Sequence, residues 1–249
     1  MVKRFCFLII VFLFLSEFLG AQIMNIEKLR LESDSGWVGK VKGSYNINKS
    51  SSKVKQLQTN VHIQYVKDVH TFLVLSDISF IKAGEENFEN NGSQHFRYTR
   101  NMTEWMSLEG FTQFQYNRIL KVAFRNLWGG GVRFEAFDKD EFKLYLGNIM
   151  MYEHERLENK DTENSLRLSY YINTQFEWDK KVSLQSIIYF QPKMFKMIDH
   201  KVLWQSNVEF SVLDNLKLGI QYNWMKDSRP PDNVPKVIYS LRNTVSYSF

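Results

Sequence analysis

Apolar and polar residues alternate with a period of two along most of the chain. In residues 237–249 every odd position except Asn243 is apolar or aromatic, and every even position from Ser240 onward is polar. Successive side chains of a β-strand point to opposite faces, so this pattern predicts strands with one apolar and one polar face. Turn signals between similar segments predict twelve strands, at residues 36–47, 54–66, 69–82, 94–101, 104–117, 119–137, 142–156, 164–178, 181–192, 199–212, 215–227 and 236–249.

The predicted connections differ in length on the two rims of the sheet. Turns after even-numbered strands are short, whereas those after odd-numbered strands are mostly long and hydrophilic, as at residues 83–93, 193–200 and 226–236. This layout is typical of outer-membrane barrels, which have short turns on one rim and long loops on the other. An interfacial aromatic girdle is expected near the short-turn rim, formed by Tyr65, Trp105, Phe137, Phe142, Trp178 and Phe249.

A closed sheet explains both faces of these strands. Lipid contacts the apolar face, and closure removes the strand edges whose unpaired amides would be costly in hydrocarbon. The pattern therefore predicts an all-β fold, a closed antiparallel up-and-down transmembrane β-barrel of about twelve strands. The alternative interpretation is a soluble sheet protein in which the aromatic residues form the core.

The first 21 residues have the features of a secretory signal peptide. Lys3 and Arg4 precede eleven consecutive apolar residues, Phe5–Leu15, and Leu19-Gly20-Ala21 supplies small residues before a cleavage site. Eleven helical residues rise about 16 Å, well short of the roughly 30 Å hydrocarbon core. We expect a cleaved signal peptide at 1–21, a short periplasmic segment at 22–35 and a barrel at 36–249, located in the outer membrane.

Composition narrows the functional classes further. With 249 residues, 44 % apolar and 15 % aromatic, the chain is too apolar to be disordered. The single cysteine, Cys6, excludes a disulfide framework and a cysteine-ligated metal site. The net charge of +5 is mild, and basic residues are interleaved with acidic ones, so no nucleic-acid partner is predicted.

Residues 97–133 carry a recognisable pattern. It consists of Arg97-Tyr98, Asn101, Glu104-Trp105, Leu108–Arg118 and Gly129–Arg133, and its most specific part is the stretch EGFTQFQYN at residues 109–117. The pattern resembles the salt-induced outer-membrane protein family (YdiY-like), over about residues 37–249. The resemblance implies a single β-barrel in a Gram-negative outer membrane, no established activity and no catalytic residue.

The end of the chain is similar to the aromatic C-terminal strand that outer-membrane proteins use as an assembly signal. Tyr247 and Phe249 would form this signal. The similarity implies the outer-membrane assembly machinery as a partner.

Few spacings suit catalysis. No histidine is followed two residues later by serine, the spacing of outer-membrane phospholipases. Asp68-x-His70 and Asp138-x-Asp140 fit water activation, but both lie on predicted short turns, where aspartate commonly caps backbone amides. The adjacent pair Asp199-His200 points to opposite faces of a strand. We predict no enzyme; the alternative is a surface enzyme acting on lipid or peptide.

No cofactor or metal site is predicted either. Gly129-Gly130-Gly131 lacks the Lys-Ser/Thr of a phosphate loop and predicts a bulge or tight barrel bend. A set of acidic residues lacks the spacing of a calcium-binding loop and is interpreted as belonging to solvated loops. The alternative is divalent-cation binding at the lipopolysaccharide surface. The residues of this set are Glu85, Glu86, Glu89, Glu153, Glu155, Glu158, Asp161 and Glu163.

The polar face of the strands would line the lumen. Twelve strands tilted about 40° enclose a backbone diameter of roughly 24 Å, which leaves a narrow wet passage or a lumen filled by ion pairs. The predicted lumen-lining residues are Arg133, Arg167, Glu177 and Arg242. The sequence is compatible with three roles: a narrow passive channel, a structural envelope protein, and an adhesion or assembly role of loops 83–93 and 226–236. We expect the protein to be a monomer that is surrounded by lipid and lipopolysaccharide.

Overall fold

The described part of the molecule is built entirely from β-strands and their connections. A computed structural model describes residues 35–49, 53–84, 86–179, 181–213 and 215–247, without the side chains of residues 53 and 86–89. The predicted signal peptide, the segment from residue 22 to residue 34, Glu85 and Phe249 lie outside these residues. The strands are β1 (Gly36–Lys49), β2 (Lys53–Lys67), β3 (His70–Ala83), β4 (Glu86–Asn101), β5 (Met106–Asn117), β6 (Val122–Lys139), β7 (Phe142–Leu157), β8 (Thr162–Trp178), β9 (Val182–Lys193), β10 (Lys196–Leu213), β11 (Leu216–Asp227) and β12 (Val237–Tyr247).

Every strand pairs with the next one along the chain. The order in the sheet is β1 to β12 without a crossover, and the pairings are antiparallel. The predicted all-β, up-and-down fold of twelve strands is therefore confirmed, and each predicted strand corresponds to one observed strand. The described residues contain no helix of the length and apolarity needed to span a bilayer.

The sheet is rolled into a barrel. Phe111 on β5 packs against a buried cluster formed by Ile149 on β7, Tyr171 on β8 and Ile187 on β9. A single cavity is lined by residues from β4 through β11, including Ser93 and Met225. Strands this far apart in the sheet meet only if the sheet curls around a common interior. A register between β1 and β12 is not among the pairings of the described strands, so closure of that seam stays a prediction.

The two faces of the barrel wall differ as the alternation predicts. Large apolar side chains are exposed on the outside, among them Trp128 (55 %) and Ile172 (52 %), whereas Asn173 and Ile187 on the inside are fully buried. Four of the aromatic residues predicted for the girdle are exposed, namely Trp105, Phe137, Phe142 and Trp178. The apolar face therefore points away from the barrel interior.

Two of the predicted long loops are strand instead. β4 begins at Glu86 and β10 at Lys196, so only two residues separate β3 from β4 and β9 from β10. The prediction of loops at 83–93 and 193–200 is therefore wrong. Hydrophilic side chains indicate contact with water, but a strand that extends beyond the bilayer is also in contact with water, so hydrophilicity does not distinguish a loop from such a strand. The connection at residues 228–236 is long, as predicted.

The glycine triplet of β6 allows a close approach of neighbouring strands. Gly129, Gly130 and Gly131 pair in regular register with both β5 and β7, so of the two predicted features the bulge is wrong and the tight bend stays a prediction. A Cβ atom on Gly131 would lie 2.1 Å from the Asn148 carbonyl oxygen, and one on Gly129 would lie 2.6 Å from Cε1 of Phe111. Glycine is needed here because there is no space for a side chain.

We predict that Gly131→Ala destabilises the folded barrel by about 1–3 kcal/mol, because the added methyl group overlaps backbone atoms that cannot move independently. Urea unfolding of protein folded into lipid vesicles, followed by tryptophan fluorescence, measures the change. Gly43→Ala is the matched control, since a Cβ atom at Gly43 has no atom within 4 Å. Equal stability of the two variants would contradict the prediction.

Candidate functional site in the bore

A buried carboxylate joins four strands inside the barrel. Glu153 on β7 lies 3.1 Å from Nε of Arg125 on β6, 2.5 Å from Nε of Arg167 on β8 and 3.0 Å from Nζ of Lys201 on β10. Its side chain is 6 % exposed. Alternate residues of neighbouring strands face the same side of a sheet, so the period of two places all of these groups in the bore.

Further ion pairs extend this cluster across five strands. Asp199 on β10 lies 3.3 Å from Nη2 of Arg167 and 2.8 Å from Nζ of Lys193 on β9. Glu155 pairs with Arg125, and Glu163 with Lys193. We name these eight residues the charge network: Arg125, Arg167, Lys193, Lys201, Glu153, Glu155, Glu163 and Asp199. Its four cations and four anions neutralise one another.

An apolar layer lies below the charge network, toward the short-turn rim. The apolar belt consists of Ile149, Tyr171 and Ile187, against which Phe111 and Tyr189 pack. The three central residues are at most 3 % exposed. Gly147 makes room for this layer, because a Cβ atom there would lie 1.9 Å from the Tyr171 ring. The belt therefore fills the bore beside β5 and β7 to β9.

The family-like stretch at residues 109–117 contributes its odd positions to the bore. Glu109 accepts hydrogen bonds from Nη1 of Arg97 at 2.5 Å and from Oγ1 of Thr99 at 3.3 Å. The Arg97 guanidinium lies 5.2 Å from the centre of the Phe111 ring, and Gln113 Oε1 lies 2.9 Å from Nδ1 of His95. The motif thus holds β4 and β5 together through buried polar contacts.

A loop covers the cavity that lies above the apolar belt. The cavity measures about 130 Å³, enough for several waters. Pro230, Pro231, Val234 and Pro235 line it, and they belong to the connection at residues 228–236, here named the proline loop. Lys121 Nζ donates a hydrogen bond to the Asp232 carbonyl oxygen at 2.8 Å, and the His200 amide donates to Ser228 Oγ at 2.8 Å. These bonds hold the loop over the bore.

The strands at the two ends of the sheet present an exposed inner surface. Lys42 is in register with Asn60, Asp77 and Ser93, and Ser93 lines the cavity. Ser240 is in register with Asn223, Gln205 and, in the apolar belt, Ile187. The bore-facing positions that are exposed on these two strands are named the open wall, and they are Lys40, Lys42, Ser44, Asn46, Asn48, Arg242, Thr244 and Ser246.

The structure does not gather the four predicted lumen-lining residues into one site. Arg167 belongs to the charge network, and the Arg133 guanidinium lies 4.0 Å from the centre of the Tyr145 ring. Glu177 is exposed near the short-turn rim, in register with Ser183, and Arg242 lies on the open wall. Their contact with a permeating solute stays a prediction.

The predicted assembly signal is described only in part. Tyr247 is 60 % exposed and lies in register with Leu216. Its partner in the prediction, Phe249, lies outside the described residues. The role of these two residues in assembly stays a prediction.

The candidate catalytic pairs have structural partners. His70 Nδ1 lies 2.8 Å from the Tyr98 hydroxyl, and Asp138 lies 3.4 Å from Nζ of Lys143. Asp199 faces the bore, whereas the His200 ring packs 5.6 Å from the Phe190 ring, centre to centre. The neighbouring residues Asp199 and His200 therefore point to opposite faces of β10.

The acidic residues predicted to be solvated loops are correctly placed only in part. Glu158 and Asp161 lie in the turn at 158–161, but Glu153, Glu155 and Glu163 lie on strands and form ion pairs in the bore. The interpretation of these three residues as solvated loops is wrong. It is based on neighbouring residues in the sequence, whereas their cationic partners lie on other strands. Within the described residues no group of three or more His, Cys, Asp or Glu side chains is arranged to hold a metal ion.

Comparisons with solved structures find porins at low sequence identity. The NanC porin in a rhombohedral crystal form shares 8 % identity, with a TM-score of 0.48 over 85 % of this chain and 100 % of that chain. The KdgM porin shares 12 % identity with a TM-score of 0.42, and the match covers 80 % of this chain and 96 % of that chain. The KdgM porin in complex with disordered oligogalacturonate shares 12 % identity with a TM-score of 0.42, and the match covers 85 % of this chain and 99 % of that chain.

Comparisons of sequence give one match. No curated protein matches this chain. The profile of a family described as "Protein of unknown function, DUF481" matches residues 41–249.

We predict that Glu153→Gln destabilises the barrel by about 3–5 kcal/mol, because it leaves Arg125, Arg167 and Lys201 buried around an uncharged amide. Urea unfolding in lipid vesicles measures the loss. Glu209→Gln is the control: Glu209 pairs with Lys217 at 3.3 Å, but both side chains are about half exposed. For such a pair we expect a change of about 0–1 kcal/mol. A loss of stability with Glu153→Gln no larger than with Glu209→Gln would contradict the conclusion that Glu153 stabilises the barrel by joining four strands.

Proposed function

We propose that this chain, which belongs to the family described as protein of unknown function, DUF481, is a monomeric outer-membrane β-barrel with a narrow passive passage for ions and small solutes. The observation that carries the proposal is the two-sided wall. Apolar side chains point out of the barrel, and charged and amide side chains line its interior. Such a wall suits lipid outside and water or ion pairs inside.

The height of the apolar outer band supports contact with a bilayer. Outward residues run from Phe142 to Tyr152 on β7 and from Leu166 to Phe176 on β8. Ten residue steps of about 3.3 Å, tilted by about 40°, span roughly 25 Å, which is about the height of the apolar band of outer-membrane barrels. On β6 and β7 aromatic pairs lie at both ends, Phe137 with Phe142 and Trp128 with Tyr152. We therefore propose outer-membrane lipid and lipopolysaccharide as the surroundings of the barrel.

The filling of the bore favours a narrow passage over a wide pore. The charge network and the apolar belt occupy the side formed by β5 to β10, whereas the bore-facing residues of the open wall are exposed. A solute entering the bore would therefore pass along β1 and β12 and beneath the proline loop. The proposed function is passage of solutes that fit beside this filling.

The observed contacts weigh against a surface enzyme. A catalytic site needs a nucleophile and a base that converge on one position. Asp199, the acidic candidate nearest to the outer rim, is bound by Arg167 and Lys193, and His200 points to the opposite face. We therefore propose a non-enzymatic role.

The contacts also reduce the case for loop-mediated adhesion. Residues 86–93 form part of β4, and the proline loop is bonded over the bore by Lys121 and His200. Neither segment extends freely from the barrel as an adhesive loop would. The proline loop is better explained as a cover that narrows the mouth of the passage.

We predict that refolded protein forms conductance steps in planar bilayers, and that replacing residues 229–235 by Gly-Ser-Gly increases the unitary conductance, because it removes the cover from the bore. Lys121→Ala should act in the same direction with a smaller effect, since it removes only the hydrogen bond to the Asp232 carbonyl. Single-channel recording in symmetric KCl measures both.

Lys226→Ala is the control for these recordings, because Lys226 lies on the same strand as the start of the loop but faces outward, in register with Val237. We expect its conductance to equal that of the unsubstituted protein. The absence of conductance steps in the unsubstituted protein would refute the passage. Unchanged conductance after loop replacement would refute the covering role of the loop.

A further inference from the structure

The charges inside the barrel are distributed unevenly between its filled and its open side. On the filled side the charge network contains equal numbers of cations and anions, and Arg97 is paired with Glu109. These side chains are mostly buried, for example Arg167 at 3 % and Asp199 at 5 %. Buried pairs of opposite sign exert little net field on an ion in the passage.

The open wall carries only positive charges. Lys40, Lys42 and Arg242 are exposed. The ion pairs formed among the described residues include none that involves these three side chains. The nearest acidic residue by register is Asp77, which is partly buried and accepts a hydrogen bond from Asn60 Nδ2 at 2.5 Å. The exposed pair of Lys217 and Glu209 is neutral as a unit.

The three cations lie at a similar level of the barrel. Lys40 and Lys42 follow the start of β1 at Gly36 by four and six residues, and Arg242 precedes the end of β12 at Tyr247 by five residues. Both of these strand ends are at the short-turn rim. Closure of the barrel would make β1 and β12 neighbours, so the three side chains would share one stretch of the passage.

Like charges on neighbouring strands destabilise a sheet unless an opposite charge compensates them. The described residues of the open wall include no acidic side chain, and the exposed bore carboxylate Glu177 lies on β8, one residue from its end at the short-turn rim. The charge that compensates the three cations on the open wall therefore comes from solution. A narrow passage lined by uncompensated cations concentrates anions and excludes other cations.

We propose that the passage prefers small anions, and that Lys40, Lys42 and Arg242 determine this preference. The inference rests on the proposed passage and adds the class of solute that it favours. The three residues act by attracting anions into the bore, and their side chains remain free to contact the ions as they pass.

The test is the reversal potential of the refolded full chain in a KCl gradient across a planar bilayer. We expect about a threefold or greater permeability of chloride over potassium, because a charged cleft raises the local concentration of counter-ions by about tenfold or more. Replacing all three residues, Lys40→Gln, Lys42→Gln and Arg242→Gln, should abolish this preference. The preference should also weaken at high salt, where the Debye length falls to about 3 Å at 1 M.

The matched control removes three positive charges from the outer surface of the barrel. Lys67, Lys139 and Lys226 are exposed and alternate with the bore-facing positions of their strands. Lys67→Gln, Lys139→Gln and Lys226→Gln combined change the net charge by the same amount, and we expect the chloride preference to be retained.

The outcomes separate the inference from the proposed function. Absence of conductance in the unsubstituted protein would refute the passage itself. Conductance without chloride preference, or a preference unaffected by the bore substitutions, would refute the inference alone. If the triple bore variant does not refold, the three single substitutions decide: each is expected to reduce the preference in part, and no reduction in any of them overturns the proposal.

Discussion

An unpaired backbone amide in hydrocarbon costs several kcal/mol, so a chain that crosses a bilayer has to satisfy every such group within the protein. In this barrel β2 to β11 achieve that by pairing with both neighbours in sequence, whereas the outer edges of β1 and β12 require the predicted seam between these two strands. The same pairing forces alternate side chains to opposite faces. Lipid-facing apolar residues and bore-facing polar residues are therefore two consequences of one arrangement of backbone hydrogen bonds.

The interior is packed by two different means at two levels. At the middle level, glycines on β6 and β7 remove side chains where Phe111 and Tyr171 enter, so that aromatic rings fill the space. Nearer the outer rim, the charge network uses long side chains to reach across strands that are not neighbours, as Lys201 reaches Glu153. Buried charges are tolerated there because each one has a partner of opposite sign within hydrogen-bonding distance.

The sequence predicts the strands better than the contacts between them. A period of two depends only on neighbouring residues, so twelve strands could be located, with the largest error at β4, where Glu86–Ser93 are hydrophilic and yet paired. The partners of Arg167 could not be predicted, because they depend on strand register and barrel curvature. Glu153 shows the same limit: its neighbours in sequence include several acids, but its neighbours in space are three cations.

The family-like residues lie in a different part of the bore from the proposed passage. Glu109, Phe111 and the glycines of β6 all lie on the filled side of the bore, where they pair, stack or admit a neighbouring ring. A motif of this kind identifies how the barrel is packed and does not reach the open wall. The open wall comes from β1 and β12, the first and last strands, outside the recognisable stretch at 97–133. Exchanging the charges of these two strands would therefore leave the packing of the filled side intact, so the proposed solute preference can be altered without a change of fold.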